Sequence, residues 1–168
     1  MKKNKKISEQ YIIKKYLRKL HWNKIEAFDF KNDGAYLKVP KNKKLVVTND
    51  TILESTDFFK NDPPESIANK IVTYNLSDIS SMGAKPYAYT LSLCLPKNIT
   101  DSWLNKFTKK LNFLQKKYNF FLIGGDLSNS NKIIISSNFF GFISKNKLLN
   151  RIGANINDDI WITGNLGD

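Results

Sequence analysis

The order of elements along the chain predicts a layered α+β domain, and three observations carry that reading. Three segments repeat apolar residues at helical spacing behind capping residues. One segment alternates large and small side chains as a strand does. Three further apolar runs also read as strands. At 168 residues the length suits one domain with a sizeable core and is short for two.

In residues 8–20, Ile12, Ile13, Tyr16, Leu17 and Leu20 fall on one helical stripe, and Ser8 is placed to cap it. Residues 35–39 and 44–48 read as two short extended runs joined by a hairpin loop over 40–43. The clearest boundary comes next. Asp62 is set to cap a helix, Pro63 to take its first position, and Glu65, three residues on, to complete a capping box. That helix turns Ile67, Ile71, Val72, Leu76 and Ile79 inward and stops near Gly83, with Pro86 beyond.

From 87 to 95, Tyr87, Tyr89, Leu91, Leu93 and Leu95 face one way and Ala88, Thr90, Ser92 and Cys94 the other, which is strand periodicity. Thr100 caps a second helix carrying Trp103, Phe107, Leu111, Leu114 and Tyr118. Residues 120–123, 133–143 and 160–163 read as strands. The sequence closes on Gly164-Asn165-Leu166-Gly167-Asp168, a turn leaving a strand, so further protein is expected beyond it.

Composition is that of an ordinary soluble protein, at 41% hydrophobic and 25% charged residues. The single cysteine, Cys94, excludes an internal disulfide and fits a reducing, cytoplasmic setting. No apolar run approaches the roughly 18 residues of a membrane span. The Lys-rich start (Lys2, Lys3, Lys5, Lys6) leads into an amphipathic segment rather than the apolar core of a signal peptide. A net charge of +12 invites a nucleic-acid partner. Only Arg18 and Arg151 are arginines, however, and the lysines are dispersed, which reads as a solvated surface rather than a phosphate-binding one. No nucleic acid and no membrane are therefore expected as partners. No Walker A sequence, Gly-x-Gly-x-x-Gly or Cys/His zinc spacing occurs, and the sole histidine, His21, reads as a capping or surface residue.

The candidate chemistry lies in aspartates where elements meet turns. Asp33 precedes the first run of the hairpin, Asp50 ends the second, Asp78 sits on the capped helix, and Asp126 follows Leu122-Ile123-Gly124-Gly125. Mg²⁺ takes hard oxygen ligands, commonly one or two carboxylates with phosphate and water. Each position also has a plainer reading: Asp after Gly-Gly is usually a turn residue, Asp50 can be a cap, and Asp78 can be solvated. Residue chemistry alone leaves both readings open.

Taken together and in order, these motifs resemble the thiamine-monophosphate kinase family, within the superfamily that includes aminoimidazole ribonucleotide synthetase. The most specific stretch is Asn75-Leu76-Ser77-Asp78-Ile79-Ser80-Ser81-Met82-Gly83-Ala84, continuing through Pro86 to Leu91-Ser92-Leu93-Cys94-Leu95-Pro96. Supporting it are Val47-Thr48-Asn49-Asp50-Thr51, Leu122-Ile123-Gly124-Gly125-Asp126, Arg151-Ile152-Gly153-Ala154 and Thr163-Gly164-Asn165-Leu166-Gly167-Asp168. Selenide dikinases and hydrogenase-maturation proteins share parts of the pattern. A selenide dikinase, however, wants a reactive cysteine near the amino terminus, and Cys94 lies mid-strand.

The resemblance implies a mixed β-sheet packed with helices, with an amino-terminal helical segment over 1–30, an ATP- and Mg²⁺-binding domain over 31–168, and a second domain that this chain lacks. It implies direct in-line phosphoryl transfer from ATP to thiamine monophosphate, which needs positioning and charge neutralisation more than covalent chemistry. Asp33, Asp50, Asp78 and Asp126 are implied Mg²⁺ ligands, with Thr48 and Asn49 as further oxygens. Gly125 and Asp126 would border the nucleotide and Arg151 would meet its phosphates. Asp57 stands where the family has a histidine that helps bind thiamine phosphate, Asn49 where it has Thr or Ser, Asn32 where it has a further Asp, and Asn157 where it has Gly. The family also implies a homodimer through this domain. The competing readings are another ATP-using enzyme of the superfamily, and a non-catalytic dimerisation or nucleotide-binding module.

Overall fold

A computed structural model describes residues 7–162 and Gly164. The Lys-rich start, Thr163 and residues 165–168 of the closing motif lie outside the described residues. The element order is α1 (Glu9–Ile12), β1 (Lys43–Leu53), α2 (Pro64–Ser81), β2 (Lys85–Leu95), α3 (Asp101–Tyr118), β3 (Phe121–Asn129) and β4 (Ile134–Ser144). The strands form one mixed sheet in the order β1-β4-β2-β3. β4 runs antiparallel to both β1 and β2, while β2 and β3 are parallel, joined across α3. The predicted fold class holds.

One face of this sheet is covered by α2 and α3. Ile67, Ile71, Leu76 and Ile79 of α2 and Leu104, Phe107, Leu111 and Leu114 of α3 meet Val46, Ile52, Tyr89, Leu91, Leu93, Leu122, Ile135 and Phe139 in one core. The inward stripe read for α2 is buried throughout. Thr100 caps α3 by accepting from the Trp103 amide at 3.1 Å, and Ser8 accepts from Tyr11 N at 3.2 Å.

The other face carries a smaller cluster of Ala88, Phe121 and Ile123, with Trp22, Leu37, Tyr87 and Phe140 against it. Its cover is Trp22, at the end of the amino-terminal segment, and Leu37, in the irregular chain after it. The earlier part of that segment packs beside α3 at the edge of the main core, where Gln115 Nε2 donates to Leu20 O at 2.6 Å. This segment buries Ile12, Tyr16, Leu17 and Leu20 as expected, but it is not one α-helix. A single α turn passes into a π-helix at Ile13–Leu17 and 3₁₀ turns at Arg18–His21 and Ile25–Phe30.

Four readings are corrected. Residues 35–39 form no strand, and the hairpin is absent: β1 pairs along its whole length with β4, about ninety residues away, because only that partner places its even-numbered side chains over the core. Residues 35–37 instead lie against the amino-terminal segment, with Tyr36 N donating to Glu26 O and Leu37 in the smaller cluster. Asp62 does not cap α2. Its carboxylate accepts from Phe59 N at 2.9 Å, and the helix begins one residue later, with Pro63 at the cap position and Pro64 first. Tyr87 departs from the alternation of β2, because a bulge between Pro86 and Ala88 turns it to the smaller cluster, where it donates to Glu26 Oε1 at 2.8 Å. Residues 160–162 are not a strand but irregular and exposed, having no sheet neighbour among the described residues.

Candidate functional site

Strand register divides the candidate residues between the two faces. Asp50 is not at a strand end but mid-β1, in the cross-strand row Asp50–Ser137–Leu91–Gly125. Asp126 likewise lies within β3 rather than after it, in the next row, Thr51–Ser136–Ser92–Asp126. Successive rows point to opposite faces. Asp50 therefore faces the helices and Asp126 the open side. The two also sit on the two edge strands, three strand spacings or about 14 Å apart.

On the covered face, Thr48 and Asp50 sit two residues apart on β1 and look toward α2, where Asp78 is three residues beyond Asn75. Asp50 is half-buried, and its Oδ2 is shut from solvent with no hydrogen-bond partner. Burial first, and the negative charge of Asp78 second, push its carboxyl above the ordinary carboxylate range. Thr48 Oγ1 donates to Asn75 Oδ1 at 3.0 Å. Asn75 itself escaped the residue-by-residue reading. The signal was there: an amide at a core position of a stripe that is otherwise apolar.

On the open side, a groove of about 810 Å³ runs between the sheet and the amino-terminal segment. Glu9, Asp33 and Asp126 supply its carboxylates, Thr90 and Ser92 its hydroxyls, and Phe30 and Leu37 part of its apolar wall. Asp33 and Asp126 are both exposed, and Asp126 accepts from Ser128 Oγ at 2.8 Å. Gly125 also lines this groove. Its absent side chain has a packing reason, since a β-carbon there would overlap the Leu91 carbonyl of β2. A register shift between Tyr89 and Thr90, with Ile123 as the extra residue on β3, creates that close approach.

The remaining candidates lie apart. Asn49 shares the open face, where its amide donates to Asn138 Oδ1 at 2.9 Å. Asp57 closes the turn after β1, its carboxylate accepting from Leu53 N at 2.8 Å while its backbone carbonyl accepts from Lys70. Arg151 is exposed in irregular chain after β4. Asn157 has φ +78°, a left-handed conformation that asparagine tolerates best among residues with a side chain. Among the described residues, no three His, Cys, Asp or Glu side chains come together as a metal-binding group, and no helix is long and apolar enough to cross a membrane.

Comparison with known proteins adds the family. A thiamine-monophosphate kinase from Buchnera aphidicola (subsp. Acyrthosiphon pisum) is 40% identical over 166 residues, 97% of this chain and 50% of that protein. A thiamine-monophosphate kinase structure from Stenotrophomonas maltophilia superposes with TM-score 0.75 at 34% identity, covering 82% of this chain and 43% of that one. A structure described as AaThiL complexed with AMPPCP and TMP matches with TM-score 0.65 at 29% identity, over 73% of this chain and 39% of that one. The chain thus spans about half the length of the curated relatives it matches. Residues 31–143 match the family model described as AIR synthase related protein, N-terminal domain, and to that family the chain belongs.

Proposed function

We propose that this chain is the amino-terminal half of an enzyme that transfers the γ-phosphoryl of ATP directly to thiamine monophosphate in the cytoplasm. The observation that carries the reading is the match, along 97% of the chain, to a protein named thiamine-monophosphate kinase. A related structure described as holding AMPPCP and TMP supports the choice of substrates.

In this reading Asp50 and Asp78 hold Mg²⁺, with Thr48 as a third oxygen. The residues fit such an ion: Asp50 has a buried oxygen with no partner, and the charge of Asp78 lies near enough to help raise its carboxyl. One or two carboxylates are what Mg²⁺ takes when phosphate oxygens and water complete its shell. The ion supplies charge neutralisation on the transferring phosphoryl group. Asp33, Asn49 and Asp126 join from the open side when the rest of the protein and the nucleotide are present, with Gly125 bordering the nucleotide, Arg151 on its phosphates and Asp57 toward the second substrate. ADP release by the full-length protein, assayed with thiamine monophosphate, aminoimidazole precursors and selenide, tests this. Turnover dependent on thiamine monophosphate is expected, with the 168-residue chain alone inactive. Turnover with another acceptor only would overturn the substrate assignment.

The same reading includes a homodimer through the open face. Leu45, Val47 and Leu53 of β1 are exposed there, Val47 at 52%, beside Phe140 and Phe142 of β4. Light scattering at tens of micromolar should give twice the chain mass, and Val47→Lys should return it to the monomer. A monomeric wild type would count against the dimer.

A further inference from the structure

Amid the apolar stripe of α2 sits one fully buried amide. Asn75 is 0% exposed and lies between Ile71 and Val72 on one side and Leu76 and Ile79 on the other. Burying an amide costs free energy unless its polar atoms are bonded. Here both are. Nδ2 donates to Ile71 O one turn back at 3.0 Å, and Oδ1 accepts from Thr48 Oγ1 at 3.0 Å. Of the two polar atoms of the amide only the nitrogen can donate to the Ile71 carbonyl, so the nitrogen faces the helix and the oxygen faces β1.

That orientation has a consequence across the gap between helix and strand. The Thr48 hydroxyl has one proton, and Asn75 takes it, so Thr48 offers only oxygen lone pairs to any other neighbour. Thr48 shares its face of β1 with Asp50, and Asn75 shares its face of α2 with Asp78. An acceptor oxygen beside two carboxylates, one with a buried unpartnered Oδ2, deepens the negative potential rather than relieving it. Such an arrangement favours a cation.

We propose that Asn75 is the positioning residue of the cation site, holding Thr48 as an oxygen donor beside Asp50 and Asp78. The inference rests on reading those carboxylates as ligands of a divalent ion. With leucine at 75 the stripe stays apolar, and the freed hydroxyl can turn its proton toward Asp50, two residues along the same face. The site then closes on itself and binds a cation less well. Partners that orient a ligand from behind usually matter by ten- to a hundredfold in affinity, and a neutral hydroxyl belongs near the lower end.

The test is titration of the 168-residue chain with Mn²⁺, which takes the same hard oxygen donors as Mg²⁺, following free Mn²⁺ by electron paramagnetic resonance. Wild type, Asn75→Leu, Thr48→Val, the double variant, Thr48→Ser and Asp50→Asn are compared, with thermal unfolding in the absence of metal confirming that each folds. Asn75→Ala serves if leucine is not accommodated. Asn75→Leu is expected to weaken Mn²⁺ about tenfold, to act equally in the Thr48→Ser background, and to add nothing to Thr48→Val. Equal losses in the Thr48 and Thr48→Val backgrounds, or lowered stability with unchanged affinity, would overturn the positioning role. If Asp50→Asn leaves Mn²⁺ binding intact, or the wild type binds none, the cation reading itself fails and the role of Asn75 fails with it.

Discussion

The two faces of the sheet treat the same residue type in opposite ways. On the covered face, two long helices leave Asp50 half-buried, with an unpartnered oxygen and Asp78 raising its carboxyl. On the open face, the cover is a strap of 3₁₀ turns and irregular chain, and Asp33 within it and Asp126 across the groove on β3 are exposed. The strap is held by polar anchors. Asp29 meets Arg18, His21 and Lys31, and those partners, Arg18 first, hold its carboxyl well below the usual range. Five consecutive or near-consecutive residues there, Trp22, Asn23, Phe28, Asp29 and Phe30, have positive φ, an arrangement that persists only where surrounding contacts enforce it. Regular helices can desolvate a carboxylate and leave it unsatisfied. An irregular strap keeps its charges paired or in water.

The largest expected effect joins or separates these faces in the full-length protein. Asp50→Asn and Asp78→Asn should each lower kcat by about 10²–10³, or roughly 3–4 kcal/mol, as removal of one transition-state stabiliser does. Asp126→Asn with an equal loss would mean that the open face is drawn into the same site, whereas a near-wild-type rate would leave it outside. Near-normal turnover of Asp78→Asn at low Mg²⁺ would remove Asp78 from the site.

A somewhat smaller loss is expected where the faces meet in the backbone. Gly125→Ala should destabilise the chain by roughly 3 kcal/mol, the upper part of the overpacking range, because the obstructing atoms are the β2 backbone rather than a side chain that can move. Thermal unfolding measures it. An unchanged midpoint would show that β2 and β3 can separate there, and Gly125 would then be free to serve the groove alone.

The smallest effect is a difference in sign. A carboxyl raised by folding disfavours the fold once ionised, so the cost of Asp50 appears as pH rises through its ordinary value near 3.8. Asp50→Asn should raise the unfolding midpoint of the metal-free chain at pH 7, with the gain vanishing below about pH 3. Asp29 is the reverse. Its lowered carboxyl stabilises above the ordinary range and loses that contribution on acidification, so Asp29→Asn should lower the midpoint at pH 7 and less so in acid. Shifts of the same sign would erase the distinction between the faces.

What the sequence by itself determined is local. The inward stripe of α2, the caps at Ser8 and Thr100, and the strand alternation over Tyr89–Leu95 were legible because helix and strand periods and capping bonds act within a few residues. The motif order was legible too, and with it the family. What only the tertiary structure decided is pairing and side. β1 could not be seen to prefer β4 over the nearby 35–39 run, because that choice depends on burying Val46 and Ile52 against helices that come later in the chain. Nor was the shift at Ile123 or the bulge at Tyr87 visible, and one extra residue is enough to send every following side chain to the other face. Whether an aspartate is buried beside another or open to water follows from that parity, which is a property of the assembled sheet and not of any segment within it.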